Sequence, residues 1–195
     1  MMAQKHLYII AGCNGAGKTT ASFTILPEIL DCKEFVNADE IAKGISPFQP
    51  EKVAFEAGRI MLNRIDELFA KQQNFAFETT LATKSYKQKI IDAQKKGYHV
   101  TLVFFWLNKV ELAIERVKTR VSEGGHNISE DVIVRRYSNG IKNLFEIYVP
   151  IVDKVLVYDN SDGKHLIIAE KRLDEEIIIL EKEIYQNLIL SYEPR

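Results

Sequence analysis

Two cysteines, one tryptophan and five prolines are scattered through 195 residues. Cys13 and Cys32 stand in no C-x-x-C or Cys/His spacing, which excludes a disulfide scaffold and a structural zinc site. Cys13 reads as a tolerated variable position rather than a redox centre. Charge of either sign is not in excess, with 26 Lys plus Arg against 27 Asp plus Glu, so no nucleic-acid surface or polybasic membrane contact is advertised. The longest apolar run, residues 100–107, is far too short to span a bilayer. No signal-peptide layout precedes the first apolar segment, and a cytoplasmic protein is expected, without membrane or nucleic-acid partners. No repeat, low-complexity tract or linker interrupts the chain. Its 46% hydrophobic content supports one domain over residues 1–195.

What the chain does contain begins at Gly12-Cys13-Asn14-Gly15-Ala16-Gly17-Lys18-Thr19, directly after the apolar run 7–11. This is G-x-x-x-x-G-K-[ST], the phosphate-binding loop that joins a buried strand to a helix. Glycines let successive backbone N–H groups turn toward a polyphosphate, and the helix N-terminus adds its positive dipole end. The expected nucleotide contacts are Gly12, Asn14, Gly15, Ala16, Gly17, Lys18, Thr19 and Thr20. Lys18 reaches the β- and γ-phosphates in such a loop, and the Thr19 hydroxyl is the candidate Mg²⁺ ligand.

Strand and helix signals then alternate, which predicts an α/β fold of the P-loop NTPase, nucleotide-kinase-like kind. Strands are expected over 7–11, 34–38, 75–79, 99–107 and 154–158, about five in a parallel sheet flanked by helices. An antiparallel edge strand is expected over 165–169 after the turn Ser161-Asp162-Gly163-Lys164. Helices are expected from 18 to 30, 51 to 71, 83 or 85 to 97, after a cap at Asn108, from Ser129 to Pro150, and from 174 to about 190.

In open parallel sheets ligands bind beyond the carboxyl ends of the strands. Asp39 follows the second strand and Glu78 ends the third, so both acids border the triphosphate cleft. Asp39 is the candidate general base, with a helix-capping role equally open on position alone. Glu78 is the candidate to hold an acceptor hydroxyl or a Mg²⁺-bound water, and Thr79 and Thr80 are candidate hydroxyl contacts to the acceptor. Phosphoryl transfer also needs cations for the moving charge, and one arginine supplies roughly 10³–10⁵ in rate. Arg116 and Arg120 share one helix flank at i, i+4. The Gly124-Gly125-His126 turn separates them from Arg135 and Arg136, and residues 109–149 form an expected arginine-bearing lid. His126 is more simply a turn residue than a phosphate contact.

Four segments in order, GCNGAGKTT at 12–20, VNADEIA at 36–42, FETTLA at 77–82 and RVSEGGHNISEDVIVRRY at 120–137, resemble the zeta toxin family of P-loop kinases. That resemblance implies an ATP–Mg²⁺-dependent kinase acting on a hydroxyl of UDP-N-acetylglucosamine or a related sugar nucleotide, with an antitoxin protein as partner. It implies Lys18 and Thr19 at ATP–Mg²⁺, Asp39 as general base and Glu78 at the acceptor. Arg120 with Arg135 or Arg136 would stabilise the transferring phosphoryl, and Asp159-Asn160-Ser161 would lie near the adenine. Two other classes share the loop. An NTP-hydrolysing switch acting on a protein lacks here the apolar strand ending in Asp-Glu and the Asn-Lys-x-Asp base-reading signature. A kinase of nucleic-acid ends calls for a basic groove that the composition does not announce.

Overall fold

The computed structural model describes residues 4–125 and 127–192; His126 lies outside the described residues. The chain runs β1 (Lys5–Gly12), α1 (Lys18–Thr24), β2 (Phe35–Val36), α2 (Ala38–Ile45), α3 (Ala54–Ala70), β3 (Phe75–Thr79), α4 (Tyr86–Lys95) and β4 (Tyr98–Trp106). It continues α5 (Val110–Ser122), α6 (Glu130–Asn143), β5 (Lys154–Asp159), β6 (Leu166–Arg172), β7 (Ile178–Ile179) and α7 (Lys182–Tyr192). The seven strands form one sheet in the order β2-β3-β1-β4-β5-β6-β7, parallel from β2 to β5 and antiparallel beyond. This is the expected mostly parallel α/β sheet with helices on its faces.

β1 and β4 are near-continuous apolar runs because both faces are covered, and Leu7, Ile9, Val100 and Leu102 are 0% exposed. Register fixes the site. Ala11 pairs with Thr79, Gly12 with Phe105 and Trp106 with Asp159, so the first, third, fourth and fifth strands end at one rim. Trp106, the chain's single tryptophan, is 1% exposed there.

Several boundaries differ from the sequence expectation for local reasons. The first helix narrows to Lys18–Thr24, and Pro27 falls in a wider turn closed by Leu30 N–H donating to the Ile25 carbonyl. Lys109, not Asn108, precedes α5 as its cap. The expected C-terminal helix from 174 begins only at Lys182. The preceding β-branched run around Ile178 and Ile179 takes the open edge of β6 as a short strand, so β6 is not the edge. At Gly124-Gly125 the chain does not hinge freely. Gly124 N–H donates to the Val121 carbonyl and Gly125 N–H to the Arg120 carbonyl, a Schellman closure of α5.

Helix α6 lies hard against the loop after β3. A methyl group added at Gly140 would stand 2.8 Å from the Thr80 carbonyl oxygen, and Asn143 Nδ2 donates to the Leu81 carbonyl at 2.8 Å. Gly140→Ala pits a helix-propensity gain of about 1 kcal/mol against this backbone clash, whose overpacking costs about 1–3 kcal/mol. The clash should win, because a carbonyl in a tethered loop cannot rotate away. A lower melting temperature by circular dichroism is expected; an equal or higher one would mean that α6 is free to shift.

Candidate active site

The phosphate loop owes its shape to what its glycines leave out. Gly12 sits at φ +142° with an ideal Cβ position 2.3 Å from the Phe105 carbonyl oxygen. Gly17 sits at φ +79°, where a Cβ would lie 2.3 Å from Asn160 Nδ2. No L-side chain fits either place. Asn160 uses the space at Gly17 to donate to the Ala16 carbonyl at 2.8 Å. The Asn160 side chain is therefore turned inward at 3% exposure and lines no part of the cleft. With its side chain, Asn160 braces the loop from behind.

Lys18 opens α1 and is 6% exposed. Its Nζ donates to the Cys13 carbonyl at 2.9 Å and lies 3.4 Å from Glu78 Oε1. Glu78 Oε2 in turn accepts from the Thr19 hydroxyl at 2.7 Å and from Asn37 Nδ2 at 2.9 Å. The carboxylate thus gathers the loop lysine, the loop threonine and the residue before α2. The Cys13 thiol is buried beside this cluster, which pushes its pKa up to about 11, so it stays protonated and unreactive at neutral pH.

Asn37 does two jobs with one amide. Its Oδ1 accepts from Asp39 N–H at 2.8 Å and Glu40 N–H at 3.4 Å, capping α2, while its Nδ2 holds Glu78. The helix cap is therefore Asn37, and Asp39 in the first turn keeps its carboxylate for the cleft. Burial pulls the pKa of the neighbouring Arg136 guanidinium down, with the Asp39 charge opposing that shift.

The four arginines divide by position. Arg116 donates to the carbonyls of Gly15, Asn160 and Ser161 at 3.4, 2.9 and 2.7 Å, tying α5 to the loop, and also lines the cleft. Arg120 lines the same cleft. Arg136 Nη1 donates to Asn14 Oδ1 at 3.0 Å. Arg135 is exposed and lines no cavity described at this rim.

Two hollows meet at this rim. One, of about 370 Å³, is walled by Gly15, Gly17, Thr19, Thr20, Lys43, Arg116 and Arg120. The other, of about 230 Å³, is walled by Thr79, Thr80, Thr83, Tyr86, Met61 and Arg136. Asn14, Lys18, Asp39 and Glu78 line both. Sequence reasoning missed Asn37, Lys43, Thr83 and Tyr86. A signal existed for Asn37 alone, in the preference of Asx residues for helix caps, although no helix was expected over 38–45.

The sheet order, phosphate loop and acid–base rim define the class of ATP-dependent P-loop kinases. Within it the chain belongs to the zeta toxin family, whose model matches residues 2–172. An uncharacterized protein of Haemophilus influenzae is 32% identical over 145 residues, covering 70% of this chain and 100% of that relative. The AvrRxo1-ORF1:AvrRxo1-ORF2 complex with ATP contains a chain of TM-score 0.76 at 16% identity, and the alignment covers 96% of this chain. The present chain spans only 64% of that chain's length. The PezAT chromosomal toxin–antitoxin system of Streptococcus pneumoniae contains a chain of TM-score 0.66 at 19% identity, covering 98% of this chain and 87% of that one.

Asn37→Ala removes a helix cap and leaves Glu78 short of a donor in a buried setting. Together these losses cost about 1–3 kcal/mol. The expected outcome is a melting temperature several degrees lower, with Asn37→Asp unable to restore it because a second carboxylate would face Glu78. Full rescue by Asp would remove the Asn37–Glu78 bond from the account.

Proposed function

We propose that this kinase phosphorylates a hydroxyl of a small molecule, with UDP-N-acetylglucosamine or a related sugar nucleotide as the leading acceptor. The observation that carries the reading is the pair of hollows sharing Asn14, Lys18, Asp39 and Glu78. In this reading the larger hollow takes ATP and the smaller takes the acceptor, so donor and acceptor meet at Asp39. The acceptor oxygen forms a bond to the γ-phosphorus as the bond to the β-phosphate oxygen breaks, and ADP leaves. The hydroxyl proton passes to the Asp39 carboxylate. Lys18 contacts the β- and γ-phosphates, and Arg120 and Arg136 approach the transferring group from α5 and α6. Arg135 takes no part.

The residues present fit a Mg²⁺ ion: the Thr19 hydroxyl and the Glu78 carboxylate are hard oxygen donors 2.7 Å apart beside the loop. When bound, Mg²⁺ offsets charge on the phosphate oxygens. Thr79 Oγ1 accepts from Leu81 N–H at 3.0 Å and Thr83 Oγ1 shares a hydrogen bond with Ser85 Oγ at 2.8 Å, which leaves Thr80 as the freer hydroxyl contact for an acceptor. No helix among the described residues is long and apolar enough to cross a membrane. The likeness to a toxin–antitoxin structure supports proposing an antitoxin protein as partner.

Incubation with γ-labelled ATP, Mg²⁺ and a panel of sugar nucleotides, nucleosides and oligonucleotides tests the assignment. Label on a sugar nucleotide is expected. Label only on oligonucleotides would move the protein to end-repair chemistry, and ATP consumption without any labelled acceptor would make it a hydrolytic switch. In the same assay Asp39→Asn should leave ATP affinity largely intact and cut transfer by roughly 10²–10⁴. Unchanged turnover in that variant would remove Asp39 from the base role.

A further inference from the structure

We infer that Lys43 is the side chain that tells a triphosphate from a diphosphate: its ammonium, carried on α2, engages the γ-phosphate of the donor nucleotide. This rests on the kinase reading above and adds a nucleotide contact that the phosphate loop and the arginines of α5 and α6 do not supply.

Placement comes first. Asp39 and Lys43 stand four residues apart on α2, so they share one face of that helix. Their separation along the axis is about 6 Å at 1.5 Å per residue. Side chains on a helix lean toward its N-terminus, which brings the Lys43 stem back toward Asp39 rather than away from it. The two hollows fix the side. Asp39 lines both, whereas Lys43 lines only the larger, the one given to ATP. In the kinase reading Asp39 marks where the γ-phosphoryl meets the acceptor. A cation one turn along on the donor side therefore lies beside the phosphate and not beside the acceptor.

Availability comes second. Three other cations at this rim are engaged by the protein itself. Lys18 holds the Cys13 carbonyl and Glu78, Arg116 holds three backbone carbonyls, and Arg136 holds Asn14. Lys43 is differently placed. Its Nζ meets Glu40 Oε1 at 2.6 Å, and the two side chains are 45% and 44% exposed. Water screens such a pair, so it contributes little and a phosphate oxygen readily takes the place of the carboxylate. Glu40 lines the same hollow, and the exchange needs only a turn of the lysine side chain, with no movement of the backbone. Were the pair only a brace for α2, its loss would lower the melting temperature and leave nucleotide affinity alone.

The test compares AMP-PNP, a non-hydrolysable ATP analogue, with ADP, each with Mg²⁺, by calorimetry on the full chain. The proteins are wild type, Lys43→Ala, Lys43→Arg and Glu40→Gln. Lys43→Ala should weaken AMP-PNP about tenfold and ADP less than about twofold. Lys43→Arg should keep most of the AMP-PNP affinity, and Glu40→Gln, which removes the competing carboxylate, should not weaken it. Should the alanine variant melt lower, Lys43→Met keeps the stem and repeats the comparison. Equal losses for the two nucleotides, or no loss, overturn the assignment. Label on an acceptor together with an unmoved AMP-PNP to ADP ratio in Lys43→Ala removes Lys43 and leaves the kinase reading standing. A moved ratio without any labelled acceptor keeps Lys43 and removes the small-molecule acceptor. Wild type that binds neither nucleotide defeats both.

Discussion

A primary ammonium ion withdrawn almost wholly from water must be met by charge and hydrogen bonds, or it will not stay an ion. Lys18 is in that position, and its neighbours follow from the need. The Glu78 carboxylate supplies the opposing charge and the Cys13 carbonyl a hydrogen bond. Glu78 itself is then a half-buried anion whose other oxygen must be satisfied, and Thr19 and Asn37 do this. Asn37 closes the circuit by capping α2, which carries Asp39. Removing one member leaves a charge or a dipole unpaired in a poorly solvated place.

A further set of hydrogen bonds fastens the loop itself. Asn160 and Arg116 contribute nothing that faces the phosphates alone, yet they fasten the carbonyls of Gly15, Ala16, Asn160 and Ser161 to one another and to α5. Carbonyls tied outward leave their N–H groups pointing inward. The cationic rim is likewise graded by anchoring. Arg116 is fixed to the backbone, Arg136 is tethered through Asn14, and Arg135, its neighbour on the same helix, is exposed to solvent.

Much of this was legible in the chain because it rests on local periodicity. The phosphate loop, the strand alternation and the clustering of Asp39, Glu78, Arg116, Arg120 and Arg136 at one rim follow from spacing plus the topology rule for parallel sheets. What escaped depends on packing between distant segments. Asn160 reads as a strand-end residue, and nothing in its neighbours reveals that Gly17, far away in sequence, vacates a side-chain position for it. Tyr86 and Thr83 were invisible because the loop after β3 is positioned by α6 through Gly140 and Asn143, not by its own residues. The C-terminal strand β7 was taken for helix because its value lies in pairing with β6, a non-local gain that helical spacing outweighed on paper.

The lone indole has a practical corollary. Trp106 ends the central strand, and its carbonyl accepts the Asn160 N–H at 3.0 Å, while the Asn160 amide grips the loop at Ala16. Light absorbed at its red edge is therefore emitted from a single spot two bonds behind the triphosphate cradle. The molecule carries a built-in optical gauge of whether that cradle is empty or taut, with no label attached.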